Sequence, residues 1–226
     1  VSLDDNLLLT QIQAIIKREY ERVQAEKSEE GIKLYGLLAG MFGGRAQMDG
    51  KWYAEMAKKY EIEDVSCLGA EFLFNRDGSN VQQHFFYNDV DGIASFDHFM
   101  ETYKKSAGWT IEEKGTFAII TKQKGSKKVV IYANKPQAED EGMQDISKEL
   151  KEKKVERIVA VHRGHSYHAG KTIENITSTA SIVFMGSCGG YNNISGVLDK
   201  SPKAHIIATK GTGTMLVNDP LLLMLN

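Results

Sequence analysis

The sequence predicts an α/β fold: a mainly parallel sheet with helices on both faces, preceded by a helical and β-hairpin N-terminal region. Three observations carry this. From Lys128 onward, short apolar runs alternate with helical segments, the pattern of parallel strands joined by crossover helices. Two of those runs, Ile158 to Val161 and Ile182 to Met185, end in loops rich in small and polar residues. The first sixty residues instead carry apolar side chains at helical spacing. The change of texture puts a domain boundary near residue 125, giving an α+β region at 1–125 and an α/β domain at 126–226.

Taken in order, residues 4 to 27 place Leu8, Ile12, Ile15, Ile16 and Tyr20 on one helical face, with Asp4 or Asp5 as the cap. A second helix runs from Glu29 to about Met41 and stops at Gly43-Gly44. A third, about Gly50 to Tyr60, carries Trp52, Met56 and Tyr60 as a core stripe. Glu71 to Phe74, the turn Arg76-Asp77-Gly78-Ser79 and Val81 to Tyr87 read as a β-hairpin. Asn88-Asp89-Val90-Asp91-Gly92 has the look of a calcium loop. It puts Tyr87 and His98 where the first ligand and the bidentate carboxylate belong, so it reads instead as a turn into a helix at Ser95 to Lys104. Phe117 to Thr121, the turn Gly125-Ser126 and Lys128 to Ala133 form another hairpin, its first strand an edge or part of the N-terminal region. The remaining order is helix 145–153, strand 157–161, helix 172–178, strand 182–185, helix 193–199 and strand 204–209. The strands at 129–133, 158–161, 182–185 and 204–209 are expected in one sheet with their carboxyl ends on one edge, where open α/β sheets bind ligands.

At that edge lie the residues with chemistry. The run from Ile182 ends in Gly186-Ser187-Cys188-Gly189-Gly190, and the run from Ile158 ends in His162-Arg163-Gly164-His165-Ser166. A cysteine attacks a carbonyl as its thiolate, so it needs a base or a lowered pKa. Cys188 is the candidate nucleophile and His165 its base, projected over the edge because Gly164 breaks the strand just before it. His162 is expected to pack against a neighbour and His168 to point away along the loop. Backbone N–H groups near Gly189 and Gly190 are positioned for a developing oxyanion. Arg163 reads as an exposed, solvated arginine. Cys67 has neither a histidine nor a tight glycine loop around it and reads as unreactive.

Two other chemistries fit less well. His162, His165 and His168 recur every three residues and Cys188 would complete a zinc set, but the segment follows a strand and is broken by Gly164 and Gly170. The Gly-x-Cys-x-Gly pattern also fits a nucleophile elbow, whose histidine follows the nucleophile. Here the only later histidine is His205, inside a strand.

The order of strand, histidine loop, helix, strand and cysteine loop resembles the caspase-like peptidases: caspases, gingipains, separases and their bacterial relatives. The matching residues are Val161-His162-Arg163-Gly164-His165-Ser166 and Gly186-Ser187-Cys188-Gly189-Gly190, with Ser166 where a glycine is usual. The resemblance covers about 126–220. It implies a cysteine endopeptidase with a Cys188–His165 dyad, an oxyanion held by main-chain N–H groups near Gly164, Ser166, Cys188 and Gly189, a peptide or protein substrate, and no cofactor or metal. Asp199 and Asp219 are the acids that would favour Lys or Arg in the pocket for the residue before the cut bond, although solvated or capping roles suit both. A catalytically silent caspase-like scaffold that binds a protein partner is the alternative.

Composition fits this. The 226 residues are 42% hydrophobic and 26% charged, ordinary for a soluble globular protein, and a net charge of −2 recruits neither nucleic acid nor an anionic membrane. Two cysteines make no disulfide framework. No run is long enough to span a bilayer and no intact signal peptide is present. The chain begins at Val1, consistent with loss of an upstream segment, and its apolar end at Leu221 to Leu225 reads as a cut within or at the edge of a longer protein.

Overall fold

A computed structural model of the chain describes residues 6–43, 55, 57–61 and 68–225. Asp4, Asp5, Gly44, Gly50, Trp52, Met56 and Cys67, and the expectations that rest on them, lie outside the described residues. The chain divides into two compact units, Val1–Leu68 and Gly69–Asn226.

The first unit holds helix α1, Asn6–Ala25, and helix α2, Glu29–Gly43. Ile16, Tyr20 and Val23 of α1 pack on Ile32 and Ala39 of α2, and Tyr60 joins the cluster. The helical spacing read from the sequence therefore finds its core, except that Ile15 is half exposed.

The second unit is α/β. Its seven-stranded sheet has the order β2-β3-β4-β1-β5-β6-β7. The strands are β1 Ser79–Phe86, β2 Thr110–Glu113, β3 Phe117–Lys124, β4 Lys127–Asn134, β5 Val159–Arg163, β6 Ile182–Gly186 and β7 His205–Ala208. β4, β1, β5, β6 and β7 run parallel, while β3 is antiparallel to both β2 and β4. The four strands expected in one sheet are there, and the β3–β4 hairpin turns at Gly125-Ser126, with Gly125 at φ 62°.

Alternation along each strand sorts side chains to two faces. Val183 and Met185 join Phe85, Tyr87 and Ala160 on the face covered by helices α4 (Glu139–Lys153), α5 (Ala169–Glu174) and α6 (Ile194–Lys200). Phe184, Val159 and Val161 face the other way and meet Leu222 of helix α7, Met215–Leu225. Phe86 packs on Phe99, Met100 and Tyr103 of helix α3, Val90–Lys105. Helices thus cover both faces. Among the described residues no helix is long and apolar enough to cross a membrane.

Three expectations of the fold change. The boundary near 125 gives way to one at Leu68/Gly69, because β1 lies between β4 and β5 in the middle of the sheet. Glu71 to Phe74 is not a strand: Ala70–Leu73 is a 3-10 helix, and β1 pairs in parallel on both sides. The first strand of the later hairpin is interior, since β2 covers β3 as the edge. Helix α7 and strand β2 were not foreseen. Asn88 to Gly92 is the expected turn into a helix: Asp89 caps α3 by accepting from the Gly92 N–H at 2.7 Å.

Candidate functional site

The site is built where β5 and β6 end. The two strands pair in register, with Arg163 opposite Gly186. His165 and Cys188 each lie two residues beyond that pair, so neighbouring parallel strands carry both to the same edge. On the far side of β5, Phe86 of β1 stands opposite Arg163, and the turn holding Asp89 and Asp91 follows.

Local chemistry explains the cysteine loop. Gly189 takes φ 60°, a left-handed conformation that suits glycine, and a Cβ on Gly190 would lie 2.2 Å from the Met185 carbonyl oxygen. The chain therefore turns tightly after Cys188. The Gly190 N–H donates to the Ser187 carbonyl at 3.2 Å and the Asn192 N–H to Gly189 at 2.9 Å. The segment after β7 then pins the loop. The Gly189 N–H donates to Gly211 at 2.8 Å, the Tyr191 N–H to Thr209 at 3.0 Å, and the Thr209 hydroxyl to the Ser187 carbonyl. Cys188 is left exposed as a free thiol.

This wiring narrows the oxyanion donors. The N–H groups of Gly189 and Gly190 are already committed, so neither is free for a ligand. Among the described residues the main-chain N–H groups of Cys188 and Ser166 make no hydrogen bond. Gly164 has a different role: a Cβ there would stand 3.0 Å from the Tyr87 ring, so the glycine lets the loop cross that ring.

The three histidines have three environments. His162 is fully buried, with Nδ1 2.7 Å from the Thr172 hydroxyl and Nε2 3.2 Å from the His165 carbonyl. Burial pulls its pKa down to about 4 against the opposing pull of the His165 carbonyl. It is a packed, neutral imidazole, as its place at the strand end suggests. Tyr87 shares its partner, with 2.6 Å between its hydroxyl and that of Thr172. His168 stacks on Tyr87 with ring centroids 4.3 Å apart, and its Nε2 stands 3.1 Å from Asp89 Oδ2, off the hydrogen-bonding direction. His165 is half exposed, stacked on Tyr167 at 5.2 Å, with Nε2 3.4 Å from Asp91 Oδ2. No hydrogen bond joins Cys188 to an imidazole among the described residues, and within them no three His, Cys, Asp or Glu side chains converge on a metal position.

Arg163 departs from expectation. It is buried, not solvated, because β5 turns alternate residues to the α3 and α7 face. Its guanidinium donates to the Gly186 carbonyl at 3.1 Å, to the Ser95 hydroxyl at 3.0 Å and to Asp219 at 2.5 Å. Asp219 also meets His98 Nδ1 at 2.6 Å. This carboxylate is spent inside the fold and is not offered to a substrate. Asp199 lies on the exposed side of α6.

Sequence reasoning missed Asp91, Asp89, Tyr87 and Thr172. The signal was available in Tyr87-Asn88-Asp89-Val90-Asp91, which follows an apolar strand as the histidine and cysteine loops do. Taking that strand as half of a hairpin hid the shared edge. No protein-family model matches the chain, and no curated protein matches it in sequence.

Proposed function

We propose that the chain is a cysteine peptidase of the caspase-like type, cutting peptide bonds through Cys188 and His165. The observation that carries the reading is the matched placement of an exposed thiol and a half-exposed imidazole, each two residues past paired ends of adjacent parallel strands. In this reading His165 takes the proton from the Cys188 thiol. The thiolate attacks the peptide carbonyl carbon, and the N–H groups of Cys188 and Ser166 hold the oxyanion. The intermediate collapses, the amine leaves with the proton from His165, and a thioester remains on Sγ. Water, deprotonated by His165, attacks the thioester, and the acid and free thiol are released.

One observation favours the silent-scaffold alternative: Cys188 makes no hydrogen bond to an imidazole, while His165 faces Asp91. Sites without substrate are often looser than the reacting complex, so the reactivity of the thiol separates the two readings. It is read by labelling with a peptidyl acyloxymethyl-ketone and mapping the modified residue. The peptidase reading expects a stoichiometric adduct on Cys188 that is lost in His165→Ala. No adduct across a panel of basic, acidic and apolar peptidyl probes favours the scaffold.

A further inference from the structure

Helix α7 is inside out for a helix lying on a sheet, which normally turns its apolar side chains to the core. Its most deeply buried side chain is Asn218, and neither Oδ1 nor Nδ2 of that amide makes a hydrogen bond among the described residues. Asp219 is turned inward to Arg163 and His98, while Leu216 is 89% exposed, Met224 83%, and Val217 and Leu223 are open to solvent as well. Apolar anchorage comes from Leu222, packed with Phe184, Val159 and Val161, and from Leu225 beside it. An amide buried without a partner costs free energy, and here little apolar burial offsets it. Helix α7 is therefore weakly held on its face of the sheet.

The chain just before α7 is held tightly to the cysteine loop, through alternate residues. Thr209 accepts from the Tyr191 N–H at 3.0 Å and donates its hydroxyl to the Ser187 carbonyl, and Gly211 accepts from the Gly189 N–H at 2.8 Å. A Cβ on Gly213 would lie 2.6 Å from the Ser187 carbonyl carbon and 3.1 Å from the Cys188 nitrogen. Helix α7 begins at Met215, two residues past that last contact. Two residues give at most about 7 Å of chain. A helix must lift by about its own diameter, roughly 10 Å, to leave a sheet. It cannot lift while residues 209–214 stay in place.

We infer that α7 and residues 209–214 form a releasable clasp on the cysteine loop: when α7 lifts from the sheet it draws that segment away, and the loop carrying Cys188 loses its main-chain partners in the same step. With α7 docked, the N–H groups of Gly189 and Tyr191 are committed and the loop is fixed. With α7 released, both are free and the loop is loose. The coupling stands on geometry and does not need Cys188 to be a nucleophile. In the peptidase reading it acquires a regulatory meaning, because release unfastens the thiol and the Cys188 N–H together.

Native-state hydrogen exchange, read residue by residue by NMR as urea is raised, tests this in wild type, Asn218→Leu and Leu222→Ala. In wild type the amides of α7, Gly189 and Tyr191 should exchange through one shared opening, well before those of Val161 and Phe184 in the central strands. Asn218→Leu replaces an unpaired buried amide with an apolar side chain of similar size, and should slow exchange in α7, Gly189 and Tyr191 by one common factor of about ten. Leu222→Ala removes apolar anchorage and should speed all of them by a common factor of about ten or more. Exchange of α7 only together with Phe184, through global unfolding, overturns the release. A change confined to α7, with Gly189 and Tyr191 unmoved, overturns the coupling. Faster exchange in Asn218→Leu means that the amide is satisfied in the fold, and overturns the weak docking. None of these readouts uses cleavage, so a chain that cuts no peptide leaves the clasp standing, and a failed clasp leaves the labelling of Cys188 to decide the peptidase reading.

Discussion

The loops after β5 and β6 leave the sheet from one row, Arg163 beside Gly186, and hold their chemistry in opposite ways. The β5 loop is fixed by side chains. His162 is locked by Thr172, Arg163 by Asp219 and Ser95, and His168 by Tyr87. The β6 loop is fixed by its backbone, through Gly189, Tyr191 and the segment after β7, and its one reactive side chain faces solvent. Removing a side chain should therefore disturb folding in the β5 loop and chemistry in the β6 loop. His165 is the exception, a β5-loop residue that stands outside the buried network.

The largest effect expected is on rate. Cys188→Ala should lower cleavage of a fluorogenic peptide by about a thousandfold or more, with an unchanged circular dichroism spectrum. His165→Ala should be as damaging and as well folded. His162→Ala should keep more activity but unfold more readily. If His162→Ala is the inactive, stable variant and His165→Ala the active one, the base has been assigned to the wrong ring.

Next in size is the buried ion pair. Asp219→Asn removes the carboxylate charge paired with the buried Arg163 guanidinium, and should cost about 3 kcal/mol in urea unfolding of the whole chain. A loss under about 1 kcal/mol would mean that this pair adds little to the β5 loop.

The smallest effect is a slope. His162 and His84 are buried and neutral in the fold, held down to about 4 and about 3, chiefly by burial. The unfolded chain takes up protons near pH 6.5 and the folded chain does not, so their contribution is full above that pH. It is lost as pH falls from 6.5 toward 4 for His162 and toward 3 for His84. Each group adds about 1.4 kcal/mol per pH unit to the slope of stability in its window. His162→Gln should flatten the slope between pH 6 and pH 4.5 by about that amount; the wild-type slope in the variant would contradict the buried neutral state.

Much of this frame was legible in the sequence. Strand–helix alternation gave β4 to β7 and the shared edge, since fully buried parallel strands appear as short apolar runs between turn residues. The placement of His162 in the packing and His165 beyond it followed from Gly164 and strand alternation. What escaped depended on distant pairing. Ser79 to Phe86 mixes Gln82, Gln83 and His84 with apolar residues, so nothing local marks it as a central parallel strand. With β1 misplaced, Asp91 could not be seen beside His165. Arg163 looked solvated because an arginine at a strand end usually is, and its partner Asp219 lies 56 residues away on a helix the apolar C-terminal run did not announce. The commitment of the Gly189 N–H to Gly211 is likewise a contact that no motif encodes.

The central claim is that His165 activates Cys188, and the alkylation rate of Cys188 against pH tests it most directly. Iodoacetamide is applied to folded wild type and His165→Ala between pH 5 and 10, with the modified peptide quantified by mass spectrometry. The account predicts that wild-type Cys188 is alkylated clearly faster than Cys188 of His165→Ala across the neutral range. Superimposable profiles would contradict it, leaving an exposed cysteine and a neighbouring histidine that do not act together.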